Sequence, residues 1–181
     1  MPVDLPSLLL SLPDGDDPTL WAWVESEYRR LYVGTGYRGN RSTHDGQAVS
    51  FFFDRAEHAF RQSTDYQRHP TQKTEIARER IARMAWIEPM ISGQVEDSAC
   101  WEVPSPTGRK RPPNRIYIAW GHEYCVWLEP LGCDTKWRFS TAYPCLRQQL
   151  RGYCRSGRVV WDWRKGKTPS AAARGPSKNV P

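Results

Sequence analysis

The spacing of hydrophobic residues changes from a helical period to a strand period near the middle of the chain. In residues 18–33 and again in residues 72–91, apolar side chains recur at intervals of three or four positions, which predicts two amphipathic helices. After Gly93 the apolar and polar residues alternate, which predicts β-strands. Helices followed by an antiparallel sheet are typical of the α+β class. We therefore predict an α+β fold with N-terminal helices packed on a twisted antiparallel sheet.

Between the two helices the sequence predicts a loop, a short strand and a short helix. Residues 34–46 contain four glycines and predict the loop. Residues 49–53 predict the strand, and Asp54 is expected to cap the helix that carries His58.

Five strands and one further helix are predicted after Gly93. A tight turn at Gly121, His122 and Glu123 is expected to join two of the strands. The predicted strands cover residues 99–103, 115–120, 124–128, 136–142 and 159–163, and the helix covers residues 145–153.

The length of 181 residues fits one domain with its own core. Residues 1–17 are rich in proline and aspartate and predict an extended N-terminal segment. Residues 18–164 carry the periodic patterns of the domain. Residues 165–181 are rich in lysine, glycine, serine, alanine and proline without periodicity, which predicts a disordered basic tail.

The chain carries an excess of positive charge, with 26 Lys and Arg against 20 Asp and Glu. Such a balance favours polyanionic partners, and the guanidinium group matches phosphate geometry. A basic loop over residues 104–114 contains Arg109, Lys110 and Arg111, and Arg115 follows it. We predict that these four residues contact RNA.

Five cysteines occur without a CxxC pair or neighbouring paired histidines. This pattern indicates neither a zinc site nor a full disulfide framework, and favours reduced thiols in the cytoplasm. The apolar patch at residues 5–12 is interrupted by proline, and no apolar run reaches membrane-spanning length. We expect no membrane association.

Motifs of several enzyme classes are absent from the sequence, among them the Walker loop, GxGxxG, HExxH and GxSxG. There is no cluster of acidic residues of the kind that binds catalytic metals. We therefore expect no cofactor and no metal.

Two positions combine a charged or titratable side chain with a packed helix face. On a helical wheel Arg80 falls inside the apolar arc, between Ile76 and Met84, so it must pair with a carboxylate, reach a cleft or contact a ligand phosphate. His58 is the preferred candidate for proton transfer, because the histidine pKa lies near working pH.

The chain resembles phage- and toxin-associated members of the barnase, EndoU, colicin and RelE-like nuclease superfamily over residues 49–150. The order of several short motifs carries the resemblance, above all the strand end at residues 137–144. The motifs are HAF at residues 58–60, RMAWI at 83–87, RIYI at 115–118, YCVW at 124–127 and WRFSTAYP at 137–144.

The resemblance implies a metal-independent endoribonuclease that cuts RNA to a 2′,3′-cyclic phosphate and a 5′-hydroxyl. By matching positions, His58 would transfer protons and Arg83 would contact the phosphate. Thr141 would hydrogen-bond the scissile phosphate, and Tyr143 would orient it or stack on a base. Ser140 could replace Thr141, since strand alternation puts only one of the two on the cleft face.

Three functions stay open on the sequence alone. The first is a toxin-like RNase, which would have RNA as substrate and an acidic antitoxin or immunity protein as a possible partner. The second is a nucleic-acid-binding protein without catalysis, whose affinity would depend strongly on salt. The third is a phage or mobile-element protein-interaction module that uses exposed aromatic residues.

Overall fold

A seven-stranded sheet forms the centre of the computed structural model, which describes residues 2–63, 73–105 and 112–166. In chain order the strands are β1 (Arg38–Ser42), β2 (Ala48–Phe52), β3 (Arg61–Gln62), β4 (Glu75–Ile76), β5 (Ser98–Val103), β6 (Asn114–Ala119), β7 (Tyr124–Leu131), β8 (Cys133–Pro144) and β9 (Arg158–Asp162). The sheet order is β1-β2-β8-β7-β6-β5-β9, and β3 and β4 form a separate pair.

Short helices surround this sheet. They are α1 (Asp17–Tyr28), α2 (Arg55–Phe60), α3 (Arg78–Ala82), α4 (Ile87–Ile91) and α5 (Arg147–Cys154). A π-helical turn, Arg29–Val33, continues α1, and 3-10 turns occur at Leu5–Leu8, Met84–Trp86, Trp120–His122 and Trp163–Lys165. The α+β class and the single domain are therefore confirmed.

Side chains on the two faces of the sheet belong to two hydrophobic clusters. Along β6, Tyr117 and Ala119 enter the larger cluster, which contains the buried residues of α1, α2 and α4. Ile116 and Ile118 point the other way into a smaller cluster with Leu150 of α5. The alternation of the strand thus divides the core, because successive side chains leave opposite faces.

One pair of neighbouring strands is parallel, which corrects the prediction of a wholly antiparallel sheet. β2 runs parallel to β8, with Ala48 opposite Lys136 and Ser50 opposite Arg138. The other neighbouring pairs in the sheet are antiparallel. Because β2 ends before β8 does, the chain that follows β2 runs on beside the second half of β8, and α2 packs there.

The N-terminal segment differs from the extended lead-in predicted for residues 1–17. Leu5 lies on a 3-10 turn and is fully buried in the larger cluster. The backbone N–H of Leu10 donates to the carbonyl of Ala82 at 2.8 Å. Leucines placed between prolines provide this anchor, so the segment belongs to the domain.

The helix predicted over residues 72–91 is not continuous. Glu75–Ile76 is a strand, and two short helices and a 3-10 turn follow it. Arg83, at φ −100° and ψ 13°, ends the first helix. Pro89 explains the interruption, because in a longer helix its ring would clash with the carbonyl of Ala85, whereas the third position of α4 tolerates it.

Edge strand β1 occupies part of the region predicted as a loop, residues 34–46. Its residues are polar and carry no alternating hydrophobic pattern. Gly39 packs directly on the backbone of Tyr32, where a Cβ atom would overlap the Tyr32 carbonyl. Glycine is required here by this close approach of two chain segments.

The other predicted elements agree with the structure. The first helix and the strand near residue 50 are present, as are the five strands and the helix of the second half. Asp16 caps α1 by accepting from the Thr19 N–H at 3.1 Å, whereas Asp54 precedes α2 without a side-chain cap. The predicted tail lies outside the described residues from position 167 onward.

Candidate functional site

A cavity of about 580 Å³ lies between α2, α3, α5 and the end of β8. Its walls combine cationic, hydroxyl, phenol and amide side chains. The lining residues are His58, Gln62, Ser63, Lys73, Arg80, Thr141, Tyr143, Pro144, Gln149 and Tyr153. Four residues that the sequence predicts as catalytic, His58, Arg80, Thr141 and Tyr143, therefore meet at one cavity.

α2 brings His58 to this cavity. Ala56, Ala59 and Phe60 face the core, which leaves His58 on the opposite, exposed side of the short helix. Although much of the His58 surface is open to solvent, protein atoms crowd its ring. This crowding, together with the positive charges of Lys73 and Arg55, lowers the pKa of His58 below its ordinary value of 6.5. His58 is therefore neutral near pH 7 and able to accept a proton.

Lys73 is a cavity residue that the sequence analysis missed. Its Nζ donates a hydrogen bond to the backbone carbonyl of His58. Burial, reinforced by the charges of Arg80 and Arg55, lowers the pKa of Lys73 to about 8. The ammonium thus releases a proton much closer to neutral pH than an exposed lysine does. A single lysine in a polar segment gives no sequence signal of this position.

Arg80 connects α3 with α2 and β8. Its Nη1 donates to the carbonyl of Ala59 at 3.3 Å, and its guanidinium carbon lies 5.1 Å from the centroid of the Tyr143 ring. The helical wheel predicted this inward position for Arg80, although the long helix on which the wheel was based does not exist. Local turns of α3 nevertheless point the side chain toward the cavity.

Tyr143 is held by two neighbours. Its phenol oxygen accepts a hydrogen bond from Nε1 of Trp127 at 3.0 Å and lies 3.4 Å from the phenol oxygen of Tyr153. Burial raises the pKa of Tyr143 well above its ordinary value, so the phenol stays protonated. The ring is fixed, with one face toward the Arg80 guanidinium.

A β-bulge in β8 decides how Ser140 and Thr141 point. Trp127 pairs with Thr141 and the next residue, Leu128, pairs with Phe139, so Ser140 is the extra residue. Thr141 lines the cavity, whereas Ser140 is buried and donates to a carboxylate oxygen of Glu129 at 2.8 Å. The predicted RNA contact at Ser140 is thus an internal hydrogen bond.

The Thr141 hydroxyl is unusual because it is buried and polar without a bonding partner. Within the described part of the chain, no hydrogen bond to its Oγ1 is formed. Buried polar groups are nearly always satisfied, and leaving one unpaired costs roughly 1–3 kcal/mol. Thr141 also lines the cavity, so this hydroxyl lies close to the space that a ligand would occupy.

Arg83 lies outside the cavity, in contrast to its predicted role as a phosphate contact. Its Nη1 donates to the carbonyl of Glu79 at 2.8 Å, and its guanidinium carbon lies 5.3 Å from the Trp86 ring. These contacts fix Arg83 at the end of α3. Among the described residues Arg80, one turn earlier, is the arginine that faces the cavity.

Arg115 also departs from its prediction. Only 5% exposed, it forms an internal ion pair with Asp45 at 2.9 Å and lies 3.7 Å from Glu102. Burial opposes ionisation of Asp45, but hydrogen bonds from Arg115 and Thr43 outweigh it and lower the Asp45 pKa. Arg115 therefore cannot reach RNA. Arg109, Lys110 and Arg111 fall outside the described residues.

His44 belongs to the same internal region as Arg115 and Asp45. Its Nδ1 lies 2.9 Å from the hydroxyl of Tyr117, and its ring packs against Trp161. Burial lowers the pKa of His44 to about 4. The imidazole is a neutral packing group here.

Two of the missed cavity residues had a detectable signal. Gln149 and Tyr153 lie one turn apart on α5, and Tyr153 also packs against the smaller cluster that contains Leu150. The spacing of these two residues on a predicted helix places them on the same helix face. Gln62 and Ser63 stand in a short polar segment and gave no comparable signal.

The chain matches no known family model, and comparisons with curated proteins and with solved structures likewise find no match. No helix of the described residues is long and apolar enough to cross a membrane. In the same part of the chain, no group of three or more His, Cys, Asp or Glu side chains could hold a metal ion.

Proposed function

We propose that the protein is a metal-independent endoribonuclease of the toxin-like type, and that the cavity beside α2 is its active site. One observation carries the proposal. One cavity is lined by residues that carry a neutral imidazole, an ammonium of lowered pKa, a guanidinium and a buried hydroxyl that has no hydrogen-bond partner among the described residues. These groups can supply the base, the acid and the charge stabilisation that RNA cleavage by the 2′-hydroxyl requires.

In this scheme His58 removes the proton from the 2′-hydroxyl. The 2′-oxygen attacks phosphorus, a P–O bond forms, and the bond from phosphorus to the 5′-oxygen breaks. The products are a 2′,3′-cyclic phosphate and a 5′-hydroxyl. General acid–base transfer of this kind contributes roughly 10²- to 10⁴-fold to the rate.

Lys73 supplies the proton to the departing 5′-oxygen. A general acid works best when its pKa lies near the operating pH, and the lowered pKa of Lys73, about 8, meets that condition. The Lys73 ammonium donates to the backbone carbonyl of His58, and both residues line the same cavity.

Arg80 and Thr141 stabilise the charge that develops on the phosphate oxygens. The guanidinium of Arg80 offers paired N–H donors in phosphate geometry. The Thr141 hydroxyl, which has no partner in the described part of the chain, gains a hydrogen bond to the phosphate. The fixed ring of Tyr143 positions Arg80 and offers a surface on which a base can stack.

The direct test is cleavage of total RNA in the presence of EDTA. We expect chelator-resistant fragments that end in a cyclic phosphate, and loss of the activity in His58→Ala. His122→Ala is the matched control, because His122 is exposed and lies outside the cavity lining. Since His58 is also exposed, its replacement should leave the urea midpoint unchanged.

Two other outcomes would refute this assignment. Retention of RNA without any cutting would identify a binding protein that uses the same cavity. Equal cleavage by His58→Ala and the wild type would remove His58 from the mechanism. If expression arrests growth, rescue by an acidic protein would identify the inhibitor that we propose as a partner.

A further inference from the structure

A second, smaller cavity of about 300 Å³ lies on the other side of α5. It is lined by Asp97, Trp120, Arg147, Arg151 and Arg164. These residues come from the loop before β5, the 3-10 turn after β6, α5 and the turn after β9. Four separate chain segments therefore build one basic and aromatic hollow.

Two interactions hold this hollow in shape. Arg164 forms an ion pair with Asp97 at 2.6 Å. Arg147 donates from Nη2 to the carbonyl of Trp120 at 3.0 Å. Trp120 is half-buried and packs against the smaller cluster, which fixes its ring.

The charges of this hollow are unbalanced. Among the described residues, three guanidinium groups face one carboxylate, and that carboxylate is bound to Arg164. Within the described ranges, Arg147 and Arg151 make no ion pair with a carboxylate. Like charges one helical turn apart disfavour a helix, by roughly 0.2–0.5 kcal/mol. An anion in the hollow would reverse this unfavourable interaction.

α5 is the wall that the two cavities share. Arg147 and Arg151 are one turn apart on the flank facing the smaller cavity, whereas Gln149 and Tyr153 line the opposite flank. Gly152 lies exposed on the outer side of the helix, and a Cβ atom there would meet nothing within 4 Å. The helix is about 10 Å wide, so the hollows are a few nucleotides apart along an extended strand.

From this arrangement we infer that the hollow of Trp120, Arg147, Arg151 and Arg164 is a second phosphate subsite for single-stranded RNA, which crosses α5 from the first cavity. The inference rests on the proposed function. Guanidinium groups bind phosphate oxygens in paired geometry, and Trp120 offers a ring for the adjacent base. Single strands suit the site because a splayed base reaches a half-buried ring, whereas a base in a duplex does not.

The test uses the full chain and RNA that is 2′-O-methylated at each nucleotide, which removes the attacking hydroxyl and prevents cleavage. Fluorescence anisotropy compares oligonucleotides of about four and about sixteen nucleotides, the range of single-strand site sizes. Arg147→Gln/Arg151→Gln is the test variant. Arg30→Gln/Arg38→Gln is the matched control, since both of these arginines are exposed outside the two cavities and the change in net charge is the same.

We expect the test variant to bind the long oligonucleotide about tenfold more weakly than the control, with equal binding of the short one. The slope of log K against log salt should fall by about 0.7 for each phosphate that the variant no longer neutralises. The single variant Arg151→Gln should show part of the same weakening, and it leaves the hydrogen bond from Arg147 to Trp120 in place. Equal urea midpoints would exclude unfolding as the cause.

Equal affinity of the two double variants for the long RNA would overturn the second subsite while leaving cleavage intact. A wild-type protein that neither binds nor cuts RNA would instead refute the proposed function. If wild type binds poly-glutamate as tightly as RNA, and the test variant binds both equally weakly, the hollow is an acidic-protein site and the inference fails.

Discussion

The guanidinium carbon of Arg80 lies 5.1 Å from the centroid of the Tyr143 ring. Arg80 belongs to a five-residue helix and Tyr143 to the end of the longest strand, so this contact joins two distant parts of the chain. It also fixes the cation whose charge faces the cavity. The cavity chemistry thus depends on the packing of α3 against β8.

Removal of the Thr141 hydroxyl should reduce RNA cleavage without lowering the stability of the protein. Thr141→Val keeps the side-chain shape and removes a buried hydroxyl that lacks a partner within the described residues. We expect the urea midpoint to stay constant or rise, because an unpaired buried group is removed. RNA cleavage should fall by about 10²-fold, measured as kcat/KM, if the hydroxyl stabilises the transition state.

Thr141→Ser is the control for this prediction. It retains the hydroxyl and should keep most of the activity. Full activity in the valine variant would exclude Thr141 from the mechanism.

The pH dependence of cleavage should be bell-shaped. Activity requires neutral His58, so kcat/KM rises as pH increases through the His58 pKa, which lies below 6.5. It falls again near pH 8, where Lys73 loses its proton. Initial rates on a short RNA across pH 5 to 9 would measure both limbs.

Two substitutions of Lys73 test which residue produces each limb of the pH profile. Lys73→Met removes a positive charge beside His58, so the His58 pKa should rise and the acid limb should move to higher pH. Lys73→Arg keeps the charge and should leave the acid limb in place, but it cannot release a proton near pH 8. An unchanged basic limb in either variant would contradict Lys73 as the acid.

Arg115 should matter for stability. Arg115→Met leaves the carboxylate of Asp45 buried without its main partner, and we expect a loss of about 3–5 kcal/mol in the free energy of unfolding. Arg158→Gln is the matched control, because Arg158 also pairs with Glu102 but is 77% exposed. That change should cost at most about 1 kcal/mol. Urea titration distinguishes the two.

The ion pair of Arg115 and Asp45 should also make the stability of the protein depend on pH. The pKa of Asp45 is lowered in the folded protein, so its stabilisation is present above the unfolded value, near 3.9. It is lost as pH falls through the lower folded value. The difference between wild type and Arg115→Met should therefore shrink below about pH 4. A difference independent of pH would contradict the ion pair as its source.

Gly39 should not tolerate a side chain. A Cβ atom there would overlap the Tyr32 carbonyl, so Gly39→Ala must displace β1 or the π-helical turn, Arg29–Val33. We expect destabilisation of about 1–3 kcal/mol or more in urea. Gly36→Ala is the control, because the nearest atom to its Cβ would be 3.9 Å away, and its effect should stay within about 0.5 kcal/mol.

Sequence periodicity determined the α+β class, the first helix and the strands of the second half, because each has its own local pattern. Patterns of hydrophobic residues report local spacing and burial only. β1, a polar edge strand, was missed because its pairing with β2 is decided by tertiary contact. The prediction of the long helix was wrong because the spacing of apolar residues does not show that Pro89 prevents one continuous helix.

For the candidate site, the sequence by itself provided His58, Thr141 and Tyr143 through short motifs, and Arg80 through the helical wheel. Tertiary structure decided which of them meet. The parallel pairing of β2 and β8 carries α2 to the end of β8, and the bulge turns Thr141 toward the cavity. Tertiary structure also added Lys73 to the candidate site and removed Arg115 from it. The reason is the same for both residues, because neighbours in space decide whether a charged group contacts a ligand or forms an internal ion pair. The spacing of residues along the sequence does not contain this information.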